Sequence, residues 1–290
     1  MSTAPGTLYL VATPIGNLAD ITARAVSTLR EVTHIAAEDT RRSRGLLSHL
    51  GITGKELHTL DGNASERAIA KIVELLRAGH AVAFVTDAGT PGVSDPGRAL
   101  VNAAVAAQVP ITSLPGASAV TTAVALSGLV AGPFLFLGFL PRQGSGRKEL
   151  LERVARETMP VVLFEAPHRI QETLVDLSAQ CPEREAAVCR ELTKMHEEVL
   201  RGSLRSLAAN VREWLGEIVV VLGETAALPV LGSSDDELRK RARGLVEGGA
   251  AVKAIANHLS EISGRSRREV YALVLDVKAE SGSRDGDADD

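Results

Sequence analysis

The sequence predicts an α/β fold, and three observations support that prediction. Apolar, β-favouring runs alternate with segments of helical period through most of the chain. Hydrophobic residues make up 45% of the 290 residues but aromatic residues only 3%, so the apolar mass is mostly aliphatic, as in a parallel sheet covered by helices. Turns rich in Gly and Pro follow several of the runs, where open α/β sheets bind ligands.

The apolar runs predict eight strands with helices between them. Asp20 and Ser65 are each expected to cap a helix, because their side chains accept hydrogen bonds from the free N–H groups of a first turn. The predicted strands span residues 7–12, 33–37, 81–86, 110–114, 134–139, 161–165, 186–190 and 217–222.

The length exceeds that of one ordinary domain, and two changes of composition mark the expected boundaries. The Pro115-Gly116 turn follows the fourth predicted strand, and a Gly/Ser/Asp-rich stretch opens at Gly232. The predicted parts are an N-terminal α/β domain (1–114), a C-terminal α/β domain (115–231), a helical, helix-turn-helix-like module (235–278) and a disordered acidic tail (279–290).

Several classes of protein are excluded or disfavoured. No charged residue lies between Ala99 and Pro141, but Pro and Gly cut that stretch into pieces shorter than a bilayer requires, so we expect buried core and no membrane partner. The N-terminus lacks a basic region followed by an apolar run, which predicts a cytoplasmic protein. Cys181 and Cys189 have no Cys or His at metal-ligand spacing, so we expect reduced thiols and no metal.

Residues 239–268 carry eight Lys or Arg against two Glu, the only segment with a large positive excess. Such a helical segment suits binding to a polyanion. A solvated helical hairpin packed on the second domain explains the pattern equally well, because helix surfaces are commonly basic.

Three Gly/Pro-rich turns, at residues 13–18, 86–97 and 115–119, are the candidate ligand site. Neither G-x-G-x-x-G nor G-x-x-x-x-G-K-[ST] occurs, so we expect a ligand that is not held by phosphates. Four further segments, at strand ends or in loops, place acidic side chains near basic or amide side chains. Such an arrangement is suited to proton transfer and anion binding, but it also occurs as a simple surface ion pair. They are residues 38–42, 61–63, 164–169 and 190–194.

Six of these segments and the run Gly138-Phe139-Leu140-Pro141-Arg142, taken together, closely resemble the ribosomal RNA small subunit methyltransferase I family, the 16S rRNA cytidine 2′-O-methyltransferases of the tetrapyrrole-methylase superfamily. The resemblance runs from about Gly6 to Leu275. One departure is Asp61-Gly62-Asn63-Ala64, where relatives often have Asp-His-Asn-Glu, and another is Pro-Gly-Ala at 115–117. The motifs occupy residues 10–22, 36–41, 85–97, 114–119, 138–142, 165–169 and 190–194.

The resemblance implies two α/β domains of the tetrapyrrole-methylase type with S-adenosylmethionine in the cleft between them. It also implies a homodimer and a target cytidine in the decoding region of 16S rRNA, met as free rRNA or in the 30S subunit. By motif, the residues placed at the cofactor site are Pro14, Asp87, Ala88, Gly89, Thr90, Val93, Ser118, Ala119, Glu165 and Leu192.

Transfer of a methyl group to a ribose hydroxyl is assisted by a base, and three residues are candidates. They are Asp87, Asp39 and, if burial depresses its pKa, Lys194. Two alternative functions stay open: a methylase of a tetrapyrrole or other small molecule, and a non-catalytic RNA-binding assembly factor. The residues expected to contact RNA phosphates are Arg41, Arg42, Arg142, Arg265, Arg267 and Arg268.

Overall fold

A computed structural model describes residues 4–62, 64–225, 235–248, 250–263 and 265–282. The chain divides into two compact units, Met1–Glu224 and Thr225–Asp290. No helix of the described residues has both the length and the apolar character that a membrane span requires.

The first unit begins with a parallel five-stranded sheet of order β3-β2-β4-β1-β5. Along β4 the side chains alternate between two cores: Val82 and Phe84 pack with α3 and α4 on one face, and Ala83 and Val85 pack with α1 and α2 on the other. Both faces are therefore covered, which is why this strand is continuously apolar. The elements are β1 (Leu8–Val11), α1 (Ala23–Glu31), β2 (His34–Ala37), α2 (Thr40–His49), β3 (Glu56–Thr59), α3 (Glu66–Arg77), β4 (Val82–Val85), α4 (Arg98–Ala106) and β5 (Ile111–Leu114).

A second five-stranded sheet, of order β6-β7-β10-β8-β9, completes the first unit. Only β6 and β7 are parallel, because β10 runs antiparallel to both β7 and β8, and β8 runs antiparallel to β9. The elements are α5 (Ala119–Ser127), β6 (Leu135–Phe139), α6 (Ser145–Arg156), β7 (Val161–Glu165), α7 (Ile170–Gln180), β8 (Glu185–Arg190), β9 (Glu198–Ser203), α8 (Leu204–Ala209) and β10 (Ile218–Leu222).

All eight predicted strands occur, but β3 and β9 were not predicted. Both are edge strands, and their sequences, ELHT and EVLRGS, contain too many polar residues to form apolar runs. The expected cap at Asp20 is also wrong, because this residue ends a short 3₁₀ turn and the Thr22 hydroxyl accepts the capping bond from the Ala25 N–H at 3.1 Å. Ser65 caps α3 as predicted.

The second unit consists of α9 (Asp235–Glu247), α10 (Val252–Ser263) and α11 (Arg267–Gly282) around a small apolar core. Residues 279–282 continue α11 as far as Gly282, so the expectation of a disordered tail is wrong for those four residues, because Ala279 and Glu280 are good helix formers. Residues 283–290 and the predicted boundary at 231–234 lie outside the described residues.

Candidate active site

A cavity of about 350 Å³ lies between the two sheets of the first unit. One wall is the turn after β4, at Ala88 to Thr90, with the start of α5 at Ser118 to Val120. The opposite wall is the end of β7 and the start of β10. Because β10 runs antiparallel to β7, its first residues lie beside the last residues of β7, and both chain segments open into the cavity.

The three Gly/Pro-rich turns meet at this edge of the first sheet. The Thr13 N–H donates to the Gly89 carbonyl at 2.9 Å, the Gly89 N–H donates to the Thr13 carbonyl at 3.0 Å, and the Thr90 hydroxyl donates to the Ala117 carbonyl at 3.2 Å. Gly89 has φ +80°, a conformation that a residue with a Cβ rarely adopts. The glycine is therefore required by the backbone of the turn.

Most of the expected cofactor residues lie at the cavity. Among the described lining residues, the neighbouring Ile15 is present but the expected Pro14 is not. Asp87 and Leu192 do not line the cavity either, and Leu192 is only 5% exposed and packs in the core. Those that line the cavity are Ala88, Gly89, Thr90, Val93, Ser118, Ala119 and Glu165.

The Glu165 carboxylate is held inside the protein. Its oxygens lie 2.5 Å from the Arg169 Nη2 and 3.7 Å from the Arg147 Nη1, and they accept bonds from the Thr173 hydroxyl at 2.7 Å and the Ala166 N–H at 2.8 Å. The side chain is 0% exposed. Although Glu165 lines the cavity, its charge is already satisfied by these neighbouring groups, which favours a structural role over cofactor binding.

Asp39 and Asp87 are both committed to neighbouring groups. Asp39 caps α2, and its carboxylate accepts bonds from the Arg41 N–H and guanidinium at 2.8 to 3.1 Å, which lowers its pKa to about 2. Asp87 accepts a bond from the Asp39 N–H at 3.2 Å and lies 3.4 Å from the Arg42 guanidinium. A carboxylate as acidic as that of Asp39 is a weak proton acceptor.

Lys194 does not meet the condition under which it would act as a base. Its Nζ lies 2.7 Å from Glu191 and 3.3 Å from Glu217. Burial lowers the pKa of Lys194, but the two carboxylates outweigh that effect, so the pKa lies above its usual value and the amine stays protonated.

Asp95, which the sequence analysis did not single out, is the carboxylate best suited to accept a proton. It lines the cavity and is partly buried. Burial, with the nearby charges of Glu38 and Asp87, raises its pKa to about 6. Asp95 belongs to the second Gly/Pro-rich turn, and the burial that raises its pKa becomes apparent only in the folded chain.

Backbone strain concentrates around the same cleft. Four non-glycine residues in the described chain have positive φ, and three of them flank the cleft: Ser94 at 62°, Glu191 at 53° and Thr193 at 66°. The Asn17 N–H donates to the Thr193 hydroxyl at 3.0 Å, which joins the first Gly/Pro-rich turn to the 191–194 turn. Strained residues of this kind are typical of ligand-binding sites.

A groove adjoins the cavity and shares Phe139 and Ala166 with it. The Phe139 ring is 57% exposed, an unusual position for a large apolar side chain. Arg142 and His168 also line the groove. It therefore combines an exposed aromatic ring with basic side chains.

Several of the other arginines expected to contact RNA already form ion pairs or hydrogen bonds within the protein. Arg41 pairs with Asp39, Arg265 pairs with Asp235 at 2.5 Å, and the Arg267 Nε lies 2.5 Å from the Asn257 Oδ1. Residues 235–282 contain nine Lys or Arg and eight Asp or Glu, so the formal charge of this module is only +1. The positive excess of its middle segment is largely balanced within the module.

The comparisons with known proteins agree with this architecture. The model of the family "Tetrapyrrole (Corrin/Porphyrin) Methylases" matches residues 7–208. Ribosomal RNA small subunit methyltransferase I of Synechocystis sp. is 41% identical over 278 residues, covering 95% of this chain and 99% of the relative. The protein of that name from Xylella fastidiosa is 41% identical over 285 residues, covering 93% and 99%.

Solved structures show the same fold at lower identity. The methyltransferase CobJ aligns with a TM-score of 0.59 at 22% identity, covering 76% of this chain and 95% of its own. A uroporphyrin-III C-methyl transferase from Thermus thermophilus, complexed with S-adenyl homocysteine, aligns with a TM-score of 0.54 at 19% identity, covering 76% and 98%. Since full-length relatives near 40% identity share one name, the chain belongs to the ribosomal RNA small subunit methyltransferase I family within the tetrapyrrole methylases.

Proposed function

We propose that this chain transfers the methyl group of S-adenosylmethionine to the 2′-hydroxyl of a cytidine in the decoding region of 16S rRNA. The observation that carries the proposal is that a mostly apolar cavity adjoins a groove that holds an exposed aromatic ring and basic side chains. A cofactor and a nucleotide can thereby approach each other at the shared residues Phe139 and Ala166.

The cavity fits the expected cofactor. Its volume lies in the range of small-ligand sites, and backbone and small side chains form much of its wall. Ala88, Gly89 and Thr90 would hold the cofactor from the first domain, with Ser118 and Ala119 at the start of α5. When bound, S-adenosylmethionine supplies a methyl group activated by a sulfonium.

The groove would position the acceptor nucleotide. A base that has left its stack can lie on the exposed ring of Phe139, and the Arg142 guanidinium can contact a phosphate. Holding the acceptor hydroxyl in line with the donor contributes much of the rate enhancement in such a reaction.

Asp95 would then take the proton that the ribose hydroxyl loses as its oxygen forms the new bond to carbon. A general base acts best when its pKa lies near the working pH. A pKa of about 6 satisfies this requirement far better than the pKa of about 2 at Asp39, and protonated Lys194 has no lone pair to offer.

The decisive experiment is methylation of purified substrates followed by mapping of the modified nucleotide. The chain is incubated with labelled S-adenosylmethionine and either free 16S rRNA or 30S subunits, and the RNA is digested for mass spectrometry. We expect one 2′-O-methylcytidine in the decoding region. Methylation of a base or of another nucleotide would refute the proposed specificity, and cofactor binding without any transfer would favour an assembly factor.

The remaining expectations about partners follow the same proposal. We propose a homodimer that acts in the cytoplasm on the 30S subunit or its rRNA. Sedimentation of the purified chain tests the dimer, and the comparison of free rRNA with 30S subunits identifies the substrate. A monomer at micromolar concentration would contradict the first expectation, and equal rates on both RNAs would show that the assembled particle is not required.

A further inference from the structure

Three side chains with metal-ligating atoms meet at the end of the first sheet opposite the cleft. His34 is the first residue of β2, Glu56 is the first residue of β3, and the two are direct partners in the parallel pair. His58 follows Glu56 by two residues and lies on the same face of the edge strand, because alternate strand residues share a face. Strand pairing, not sequence spacing, brings these groups together.

Two of the three distances among these groups have the length expected in a tetrahedral metal site. The His34 Nδ1 lies 3.3 Å from the Glu56 Oε2 and 3.3 Å from the His58 Nε2, and all three ligand atoms lie within 4.8 Å of one another. Zinc bonds of about 2.0 to 2.1 Å arranged tetrahedrally place neighbouring ligand atoms about 3.3 to 3.4 Å apart. Both measured contacts have that length.

Ordinary hydrogen bonds do not account fully for this arrangement. A neutral imidazole nitrogen either donates or accepts. The His34 Nδ1 can therefore make a linear hydrogen bond with only one of the Glu56 carboxylate and the His58 Nε2, or share one hydrogen between them. His34 is 7% exposed, whereas the Glu56 side chain is 65% exposed, so solvent reaches the carboxylate but hardly the His34 ring.

We propose that His34, Glu56 and His58 bind one zinc ion. Two imidazoles and a carboxylate form a donor set that zinc readily accepts, with water in the fourth position. Lys71 opposes the ion through its charge, and the His80 ring stacks edge-on against His34 at 5.1 Å.

Such an ion would fasten the edge strand β3 to β2. The chain leaves β3 at Thr59 and passes through Leu60, Asp61 and Gly62, which line a second pocket together with Asp95. A fixed β3 would therefore hold the loop that flanks the proposed base. The zinc site does not depend on the proposed reaction, and its function is structural.

The test uses full-length, untagged protein treated with a chelator and then titrated with zinc by calorimetry. We expect one ion per chain, a higher Tm with zinc, and, with cobalt in place of zinc, the intense visible absorption of a tetrahedral site. Glu56→Gln and His58→Gln should each weaken zinc binding by at least about tenfold. Glu56 is exposed, so its variant should fold normally even if His58→Gln does not.

His49→Gln is the matched control, because His49 is an exposed histidine at the end of α2. It should bind zinc like the unmodified chain. Absence of stoichiometric zinc binding would overturn the proposal. Equal zinc affinity in Glu56→Gln and His49→Gln, both folded, would also overturn it, since the ion would then be bound elsewhere.

Discussion

Replacing Asp95 by Asn should remove both most of the activity and its dependence on pH. The substitution keeps the shape of the side chain and removes its ability to accept a proton. In the structure the carboxylate lines the cavity, and burial with the neighbouring charges of Glu38 and Asp87 raises its pKa to about 6. General bases contribute about 100- to 10,000-fold, so we expect kcat to fall by about 100-fold or more.

The pKa also fixes the shape of the pH profile. A base with a pKa of about 6 is about 9% ionised near pH 5 and about 91% ionised near pH 7, so kcat/KM should rise about tenfold across that interval and then level off. A carboxylate with the ordinary pKa of about 3.9 would change its ionised fraction by less than about 10% over the same range. The two cases are easily distinguished.

The same pKa predicts the effect of the substitution on stability. Because the folded state binds the Asp95 proton more tightly than the unfolded state, the contribution of Asp95 to stability falls as pH rises from about 4 to about 6 and stays unfavourable above it. Removing the charge should therefore leave the Asn variant at least as stable as the unmodified chain at about pH 8. Loss of activity could then not be attributed to unfolding.

The assay measures initial rates of methylation at saturating cofactor between about pH 5 and pH 8, with thermal unfolding recorded at each pH. Asp39→Asn is the control, because Asn also caps helices and the lowered pKa of Asp39 excludes it from this titration. A variant at Asp95 that retains the tenfold rise would refute the assignment. Loss of the rise in Asp39→Asn instead would return the base to Asp39.

Three further predictions concern the walls and the groove. Glu165→Gln should destabilise the first unit by about 3 to 5 kcal/mol, because it breaks a buried ion network. The control is Glu217→Gln, which should leave the Tm nearly unchanged because the Glu217 side chain is 68% exposed. Similar thermal unfolding curves for the two variants would contradict this prediction. Gly89→Val should lower the free energy of unfolding by about 1 to 3 kcal/mol, because the backbone at position 89 has a positive φ that valine rarely adopts. It should also abolish S-adenosylmethionine binding measured by calorimetry, and unchanged affinity would show that this turn is not part of the site. Arg142→Ala should remove one phosphate contact and so reduce the salt dependence of 30S binding, the slope of log affinity against log salt concentration, by about one. Arg268→Ala should reduce that slope by a similar amount only if the C-terminal module also contacts RNA.

The predictability of the fold depended on burial. Strands such as β4 and β10 are buried on both faces, so their sequences are uninterrupted apolar runs that identify them without any structure. The edge strands β3 and β9 are partly exposed, and their sequences mix polar and apolar residues as short polar loops also do. Their existence follows from pairing with β2 and β8, which no local pattern records.

The parts of the candidate site that the backbone forms could be predicted from the sequence, whereas the pKa values of its acidic side chains could not. The Gly89 turn was identified from its composition, since small residues after a strand favour a ligand site. The difference in basicity between Asp39 and Asp95 could not be obtained in this way. Both are aspartates near a strand end, and their pKa values separate only through the Arg41 contact in one case and burial in the other.

Lys194 illustrates how a residue in a recognisable motif can hold the site without reacting. Its Nζ bridges Glu191 and Glu217, and the Glu191 side chain lies against Gly216, where an added Cβ would approach its carboxylate to 2.2 Å. Glycine favours that contact, because Gly216 has φ +81°, a conformation in which a side chain is strained, and Glu191 itself has φ 53°. Because Glu217 and Gly216 both line the cavity, this arrangement fixes the wall opposite the Gly89 turn. Lys194→Met should accordingly weaken S-adenosylmethionine binding while the tenfold pH rise assigned to Asp95 persists, and loss of that rise would show that the amine takes part in proton transfer.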